Sequence, residues 1–290
     1  MVENKGKDKR FNIAIIAIMA VYALITLFPL LNVLANSFSD PDFVNRGGVI
    51  IWPKGWTLEN YVKVLTYNNI WIGYRNTILY TIAGTIVQLV LQFTAAYPLS
   101  VKKFGARNFF SFFFVLTMFV QGGMIPTFLV VKALNMINTP WAMIIPGCVG
   151  IYNIIIIRTY ISTAIPQEMQ EAAMIDGAGY FRMFGMIILP LCKPIIAVMT
   201  LYAIVGYWNN YFNSLMYLTD SNLFPLQRVL ASILVSSESN VGSIGDAEHS
   251  LMAESLKYVT IVVSSAPILL LYPFFERFFE KGIMVGGVKG

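Results

Sequence analysis

Residues 76–101 read NTILYTIAGTIVQLVLQFTAAYPLSV, 26 consecutive positions without a charged side chain. A helix needs about 20 predominantly apolar residues to cross the hydrocarbon core of a bilayer, so this stretch is long enough to do so. Five more charge-free runs flank it: Phe11–Ala35, Asn108–Val131, Ala133–Ile157, Pro194–Thr219 and Tyr258–Phe275. None shows the alternation over about 10 residues that marks a membrane β-strand. The expected fold is therefore an all-α integral membrane protein with six transmembrane helices, at about 12–35, 77–101, 109–131, 139–157, 194–216 and 258–276.

Composition agrees. Of 290 residues, 57% are hydrophobic and 12% charged, against roughly 45–50% and 25% in soluble domains. Cys148 and Cys192 lie in or beside apolar runs and are read as buried thiols, and the single His249 excludes a multi-histidine metal site, so no metal ligand is assigned. The start of the chain, with Lys5, Lys7, Lys9 and Arg10 before an apolar run and Val33-Leu34-Ala35 after it, has the outline of a cleavable signal peptide. The run is about twice a usual signal core, and five more follow, so an uncleaved first helix is expected.

Six spans put both ends of the chain on one side, and the basic residues say which. Lys5, Lys7, Lys9, Arg10, Lys102, Lys103, Arg107, Arg158, Arg182, Lys193, Arg277, Lys281 and Lys289 fall on the amino-terminal side; Arg46, Lys54, Lys63, Arg75, Lys132, Arg228 and Lys257 fall on the other. The bias places both termini in the cytoplasm of a bacterial cell membrane. The chain then divides into a basic cytoplasmic segment, 1–10, and a single membrane domain, 11–290, with outer loops 36–75 and 220–257 and a cytoplasmic loop 158–193. Thr57 is a plausible helix cap in the first outer loop; the second, with Ser236-Ser237-Glu238-Ser239-Asn240 and Gly242-Ser243, reads as mostly solvated. Nucleic-acid binding is the weaker reading of the +5 net charge.

The cytoplasmic loop 158–193 carries the most information. Pro166 suits the first position of a helix, and Glu168 and Glu171 favour its positive end. Glu168, Glu171 and Ile175 share one face, with Met169, Ala172, Ala173 and Asp176 on the adjacent one. Gly177 and Gly179 supply positive-φ or tight-turn conformations, and a second helix is expected from about Tyr180. The spacing Glu171-Ala172-Ala173, Asp176-Gly177-Ala178, Ile187, Leu189-Pro190 and Lys193-Pro194 resembles the EAA signature of bacterial ABC importer permeases, in the form of their carbohydrate-uptake branch. Trp208-Asn209, Phe224-Pro225-Leu226 and the tail Phe278-Phe279…Gly286-Gly287-Val288-Lys289-Gly290 resemble the maltose-type six-span permease and the lipoprotein and polysaccharide permease group.

That resemblance implies a type I ABC importer permease fold, forming half of a translocation path for oligosaccharides or polysaccharide fragments. The loop would be the coupling helix that seats in a cleft of an ATPase subunit: Glu171 would pair with a basic group there, Ala172 and Ala173 would make the close contact, and Gly177 would allow the turn, with Asp176 and Ala178 also among the residues that couple to the ATPase. The residues around Gly287–Gly290 would lie near the ATPase. Implied partners are a second permease in a heterodimer, an ATPase dimer that binds ATP and Mg, and an extracellular solute-binding protein. No phosphate-binding Gly-x-x-x-x-Gly-Lys-Ser/Thr loop occurs in this chain, and it is expected to have no catalytic residues and no cofactor of its own.

Within the spans, candidates for the path are the cluster Tyr207-Trp208-Asn209-Asn210-Tyr211, with Gln88, Gln92, Gln121 and Asn153. Aromatic faces suit sugar rings and amides suit hydroxyls, although amides also join membrane helices. Met124 and the Gly122-Gly123 pair read as packing, and Pro98, Pro126, Pro146, Pro267 and Pro273 as bends. An ion-coupled secondary transporter is the alternative; it would want ionisable groups in the membrane, and the six runs have none. An intramembrane enzyme would want a Ser, His or Asp constellation, and His249 lies in an outer loop.

Overall fold

The computed structural model describes the backbone of residues 5–239 and 247–287. Every regular element among them is a helix, as the apolar runs require. In chain order these are α1 (Lys5–Ser37), α2 (Pro41–Asn45), α3 (Glu59–Thr66), α4 (Asn68–Ser100), α5 (Arg107–Phe119), α6 (Met124–Ala133), α7 (Trp141–Ile144) and α8 (Ile151–Ala164). Then come α9 (Gln167–Ile175), α10 (Tyr180–Met183), a π-helical turn over Phe184–Ile188, α11 (Leu189–Leu191), α12 (Lys193–Trp208), α13 (Phe212–Tyr217), α14 (Leu226–Ser239) and α15 (Ala247–Gly287).

Three helices are long and apolar enough to cross a bilayer unbroken: Phe11–Ser37, Asn68–Ser100 and Ser255–Glu276. The other three runs expected as spans are interrupted. The run 109–131 bends by 114° between α5 and α6. There Val120 is extended and Gly123 has φ +85, a conformation that favours glycine. The run 139–157 is divided between α7 and α8 by a turn containing Gly147 at φ +81, and α8 continues to Ala164, into the stretch read as loop. The run 194–216 ends its main helix at Trp208 and resumes as α13. At its start, α11 meets α12 at an 80° bend. Pro190 and Pro194 have no N–H to give the carbonyls one turn back, which accounts for the π-helical turn and the bend beside them.

Contacts divide the chain into two units, 1–70 with 230–266, and 71–229 with 267–290. In the first, Ala35, Val44 and Val49 form a small core with Tyr258. Phe38 stacks on Tyr61 at 5.0 Å between ring centroids, and the Tyr61 hydroxyl bonds that of Ser37 at 2.8 Å. Burial raises the Tyr61 pKa, an effect the Ser37 bond partly offsets. Leu58, rather than Thr57, occupies the cap position of α3, although the Thr57 hydroxyl accepts the Glu59 N–H at 3.2 Å.

In the second unit the main core joins Phe93, Ala96 and Tyr97 of α4, Ile154, Ile157 and Ile161 of α8, and Ile195 and Met199 of α12 to Ala173, Met183, Ile188 and Cys192 of the segment 158–193. Both cysteines are free and buried, as expected. The segment 220–257, expected as an outer loop, is less loop-like than its polar clusters suggest, because α14 occupies 226–239. Its first residue is held by the Thr77 hydroxyl, which accepts the Leu226 N–H at 2.8 Å. A side chain on Gly73 would come within 3.0 Å of the Leu226 Cα. Asn240, Gly242-Ser243 and the tail Val288–Gly290 lie outside the described residues.

Candidate coupling loop and translocation cleft

Within the loop expected over 158–193, the helix predicted from Pro166 forms with a shift of one residue at its start. Pro166 is the cap, extended at ψ 141, and Gln167 opens α9. The helix closes through a Schellman motif. The Ala178 N–H donates to the Ala173 carbonyl at 2.9 Å and the Gly177 N–H to the Met174 carbonyl at 3.0 Å, with Gly177 at φ +78. Gly179 is extended at φ −70, so only one of the two glycines uses a positive φ. The chain then enters α10 at Tyr180, as expected. Below it, the Tyr97 ring stacks on Phe184 at 5.1 Å, and its hydroxyl donates to the Met183 sulfur at 3.3 Å. The loop is thereby fastened to the carboxy-terminal end of α4.

Burial sorts the residues expected to couple. Gln170 and Ala173 face the core, which corrects the expectation that Ala173 presents itself outward; its small size serves packing within the chain. Met169, Ala172 and Asp176 are exposed, and Ile175 is 86% exposed and Phe181 95%. Glu171 is half-buried and already engaged. Its Oε1 accepts from the Gln167 Nε2 at 2.9 Å and stands 4.0 Å from the Lys103 ammonium. The outward surface is therefore apolar at its centre, a feature the glutamate-centred motif does not convey.

The aromatic cluster expected along the path splits in two. Tyr207 and Trp208 are buried. The Tyr207 hydroxyl donates to the Ile144 carbonyl at 2.9 Å, and its ring lies on Gly84, where a Cβ would stand 2.4 Å from the Tyr207 Cζ. These two are packing residues, because the face of α12 that carries them turns to α4 and α7. Asn209 is exposed, with its amide donating to the Val205 carbonyl at 3.0 Å. Asn210 accepts the Asn213 N–H at 3.3 Å, and Tyr211 is exposed.

A cleft of about 870 Å³, lined by none of the five residues 207–211, is bounded by the α5–α6 break, the start of α8, and α13. Gly122, Gly123 and Met124, read from sequence as packing, line it, together with Gln121, Tyr152, Phe212, Asn213 and Tyr217. No charged residue lines it. The Thr117 and Thr127 hydroxyls are committed to carbonyls of their own helices at 2.7 and 2.8 Å. The side-chain amides of Gln121 and Asn213 have no partner among the described residues, which leaves an aromatic and amide lining. Gln88 and Gln92 are buried away from it. Gln92 stands behind Gly150, where an added Cβ would lie 3.4 Å from its Nε2 and 3.2 Å from the Asn153 amide. The signal that could have located the cleft is the glycine pair inside an apolar run, since irregular backbone at membrane depth is tolerated where it lines a cavity.

A helical membrane chain with an uncharged cleft where its helices break, and a surface helix packed on its core, has the parts of a transport subunit. The chain belongs to the family of binding-protein-dependent transport system inner membrane components, whose signature matches residues 70–285. It is 35% identical to Protein LplC of Bacillus subtilis (strain 168) over 100% of this chain and 98% of that one. It is 34% identical to the polygalacturonan/rhamnogalacturonan transport system permease protein YtcP of the same organism, over 98% of this chain and all of that one. Among solved structures, a bacterial ABC transporter involved in the import of the acidic polysaccharide alginate matches with a TM-score of 0.84 and 29% identity, covering 94% of this chain and 98% of that one. The chain is thus a non-catalytic membrane component of a binding-protein-dependent transporter.

Proposed function

We propose that this chain forms half of the path by which an ATP-driven importer moves oligosaccharides or polysaccharide fragments inward. The observation that carries the reading is the uncharged aromatic and amide cleft at three helix breaks, taken with relatives named for polygalacturonan, rhamnogalacturonan and arabinooligosaccharide transport. Sugar rings stack on Phe212 and Tyr152, whose rings are exposed, while hydroxyls bond the amides of Gln121 and Asn213. A second permease supplies the other wall, and an extracellular binding protein delivers the sugar. An ATPase dimer holds ATP and Mg and pushes on α9, whose Ala172, Ile175 and Asp176 seat in it while Glu171 holds the helix to Lys103 and meets a basic group of the ATPase.

Substitution tests the path. In reconstituted complexes, Phe212→Ala and Asn213→Ala should each lower saccharide uptake roughly 10-fold, the loss of about 1.4 kcal/mol expected of one stacking or hydrogen-bonding contact. Assembly and basal ATP hydrolysis should be preserved. Normal uptake by both variants would remove the cleft from the path.

Both termini and residues 158–193 face the cytoplasm in this reading. An impermeant maleimide applied to sealed cells should label Thr219→Cys and leave Glu168→Cys unmodified until the membrane is opened; the reverse pattern would invert the topology. Cys148 and Cys192 are buried and give little background.

A further inference from the structure

Behind α9 lies a second cavity, of about 520 Å³, that neither the coupling surface nor the cleft uses. Lys102 and Arg107, which flank the turn between α4 and α5, reach it from one side and Arg158 of α8 from the other; Glu168 is the one carboxylate on its rim. The Arg107 Nε is buried without a hydrogen-bond partner. Neither arginine makes an ion pair among the described residues, and the Arg158 Nε is spent on the Leu99 carbonyl at 3.1 Å. Burial, and then the charge of Arg107, lower the Arg158 pKa. Two guanidinium groups within electrostatic reach of each other, partly removed from water and unpaired, cost free energy that an anion between them would recover.

We propose that this cavity binds a phosphate group, with the Arg107 and Arg158 guanidinium groups as its principal donors and Lys102 at its rim. Phosphate suits the donor set because guanidinium groups bond its oxygens in pairs. The Ser162 and Thr163 hydroxyls that also line the cavity donate to carbonyls one turn back, at 2.9 Å each, so the cations do the binding. In the topology proposed above, the cavity lies where α4, α5 and α8 meet the cytoplasmic boundary, the level of anionic phospholipid headgroups. The phosphate would come from such a lipid or from solution. Bound there, it would brace the start of α9, whose Gln167 and Gln170 share the cavity.

The test uses the assembled complex, depleted of lipid in neutral detergent and offered phosphatidylglycerol, phosphatidylcholine or inorganic phosphate, with retention read by native mass spectrometry. The complex should hold phosphatidylglycerol in preference to phosphatidylcholine. Arg107→Gln alone should weaken that retention about 5-fold, the value of about 1 kcal/mol per basic residue at a membrane surface. Arg107→Gln with Arg158→Gln should erase the preference, and the paired lysine variants, which keep the charge without the paired bonds, should keep only part of it. Inorganic phosphate that binds the lipid-free complex and is lost with the same substitutions would assign the site to soluble phosphate. Retention of both probes unchanged by either glutamine variant would overturn the proposal. Release of the ATPase on glutamine substitution with anion retention unchanged would also overturn it, assigning the arginines to a partner's carboxylate. Should the double variant fail to assemble, Arg107→Gln, half-exposed and without a side-chain bond among the described residues, decides the matter.

Discussion

Gly177→Val should abolish saccharide-stimulated ATP hydrolysis and uptake while the complex still assembles. Gly177 sits at φ +78, and no atom lies within 4 Å of where its Cβ would be, so the difficulty is conformational and not steric. A non-glycine residue in this region costs roughly 1–2 kcal/mol, and a β-branched one more. A valine would abandon the left-handed turn, and with it both closing bonds of α9, from Ala178 to Ala173 and from Gly177 to Met174. The chain would then leave α9 in another direction and could no longer bury Met183 against Tyr97. Gly177→Asn, which tolerates positive φ, should keep most coupling. The measurement is substrate-stimulated ATPase activity, with sugar affinity of the isolated binding protein as an unchanged control. Equal stimulation in the valine variant and the wild type would show that this loop does not couple.

The second large effect is on folding. Gly84→Ala drives a methyl group into the Tyr207 ring, 2.4 Å from Cζ and 2.5 Å from Cε1. The ring is closed in, so it must shift and give up its bond to the Ile144 carbonyl. Overpacking of this kind costs about 1–3 kcal/mol, and a buried carbonyl left unpaired adds a similar amount. The expected result is a sharp fall in the folded protein recovered from membranes and in its thermal midpoint. Tyr207→Leu, milder by itself, should partly rescue Gly84→Ala, because it removes the outer ring atoms that collide. Additive losses in the double variant would deny the direct contact.

Much of α9 and the turn after it was legible because their determinants are local. A proline, an acidic first turn, small residues and a glycine at a fixed distance specify where α9 starts and stops whatever surrounds it. The fate of Glu171 was not legible, because its neighbour Lys103 arrives from the far end of α4. The cleft was misread for a different reason. In a bilayer, charge-free runs look alike whether the helix inside is straight or broken, so 109–131 gave no sign of its 114° bend beyond Gly122-Gly123. Residue type also says little about facing: Tyr207 and Phe212 are both aromatic, yet one fills the notch at Gly84 and the other lines the cleft.

ATP-driven movement of a saccharide through this subunit is the central claim, and uptake into proteoliposomes tests it most directly. The complex of this chain with its second permease and ATPase would be loaded with sugar-bound binding protein on one face and ATP on the other. Uptake should require ATP, cease with a hydrolysis-deficient ATPase, and be indifferent to proton or sodium gradients. Saccharide accumulation driven by an ion gradient without ATP would contradict it and make the chain a secondary transporter.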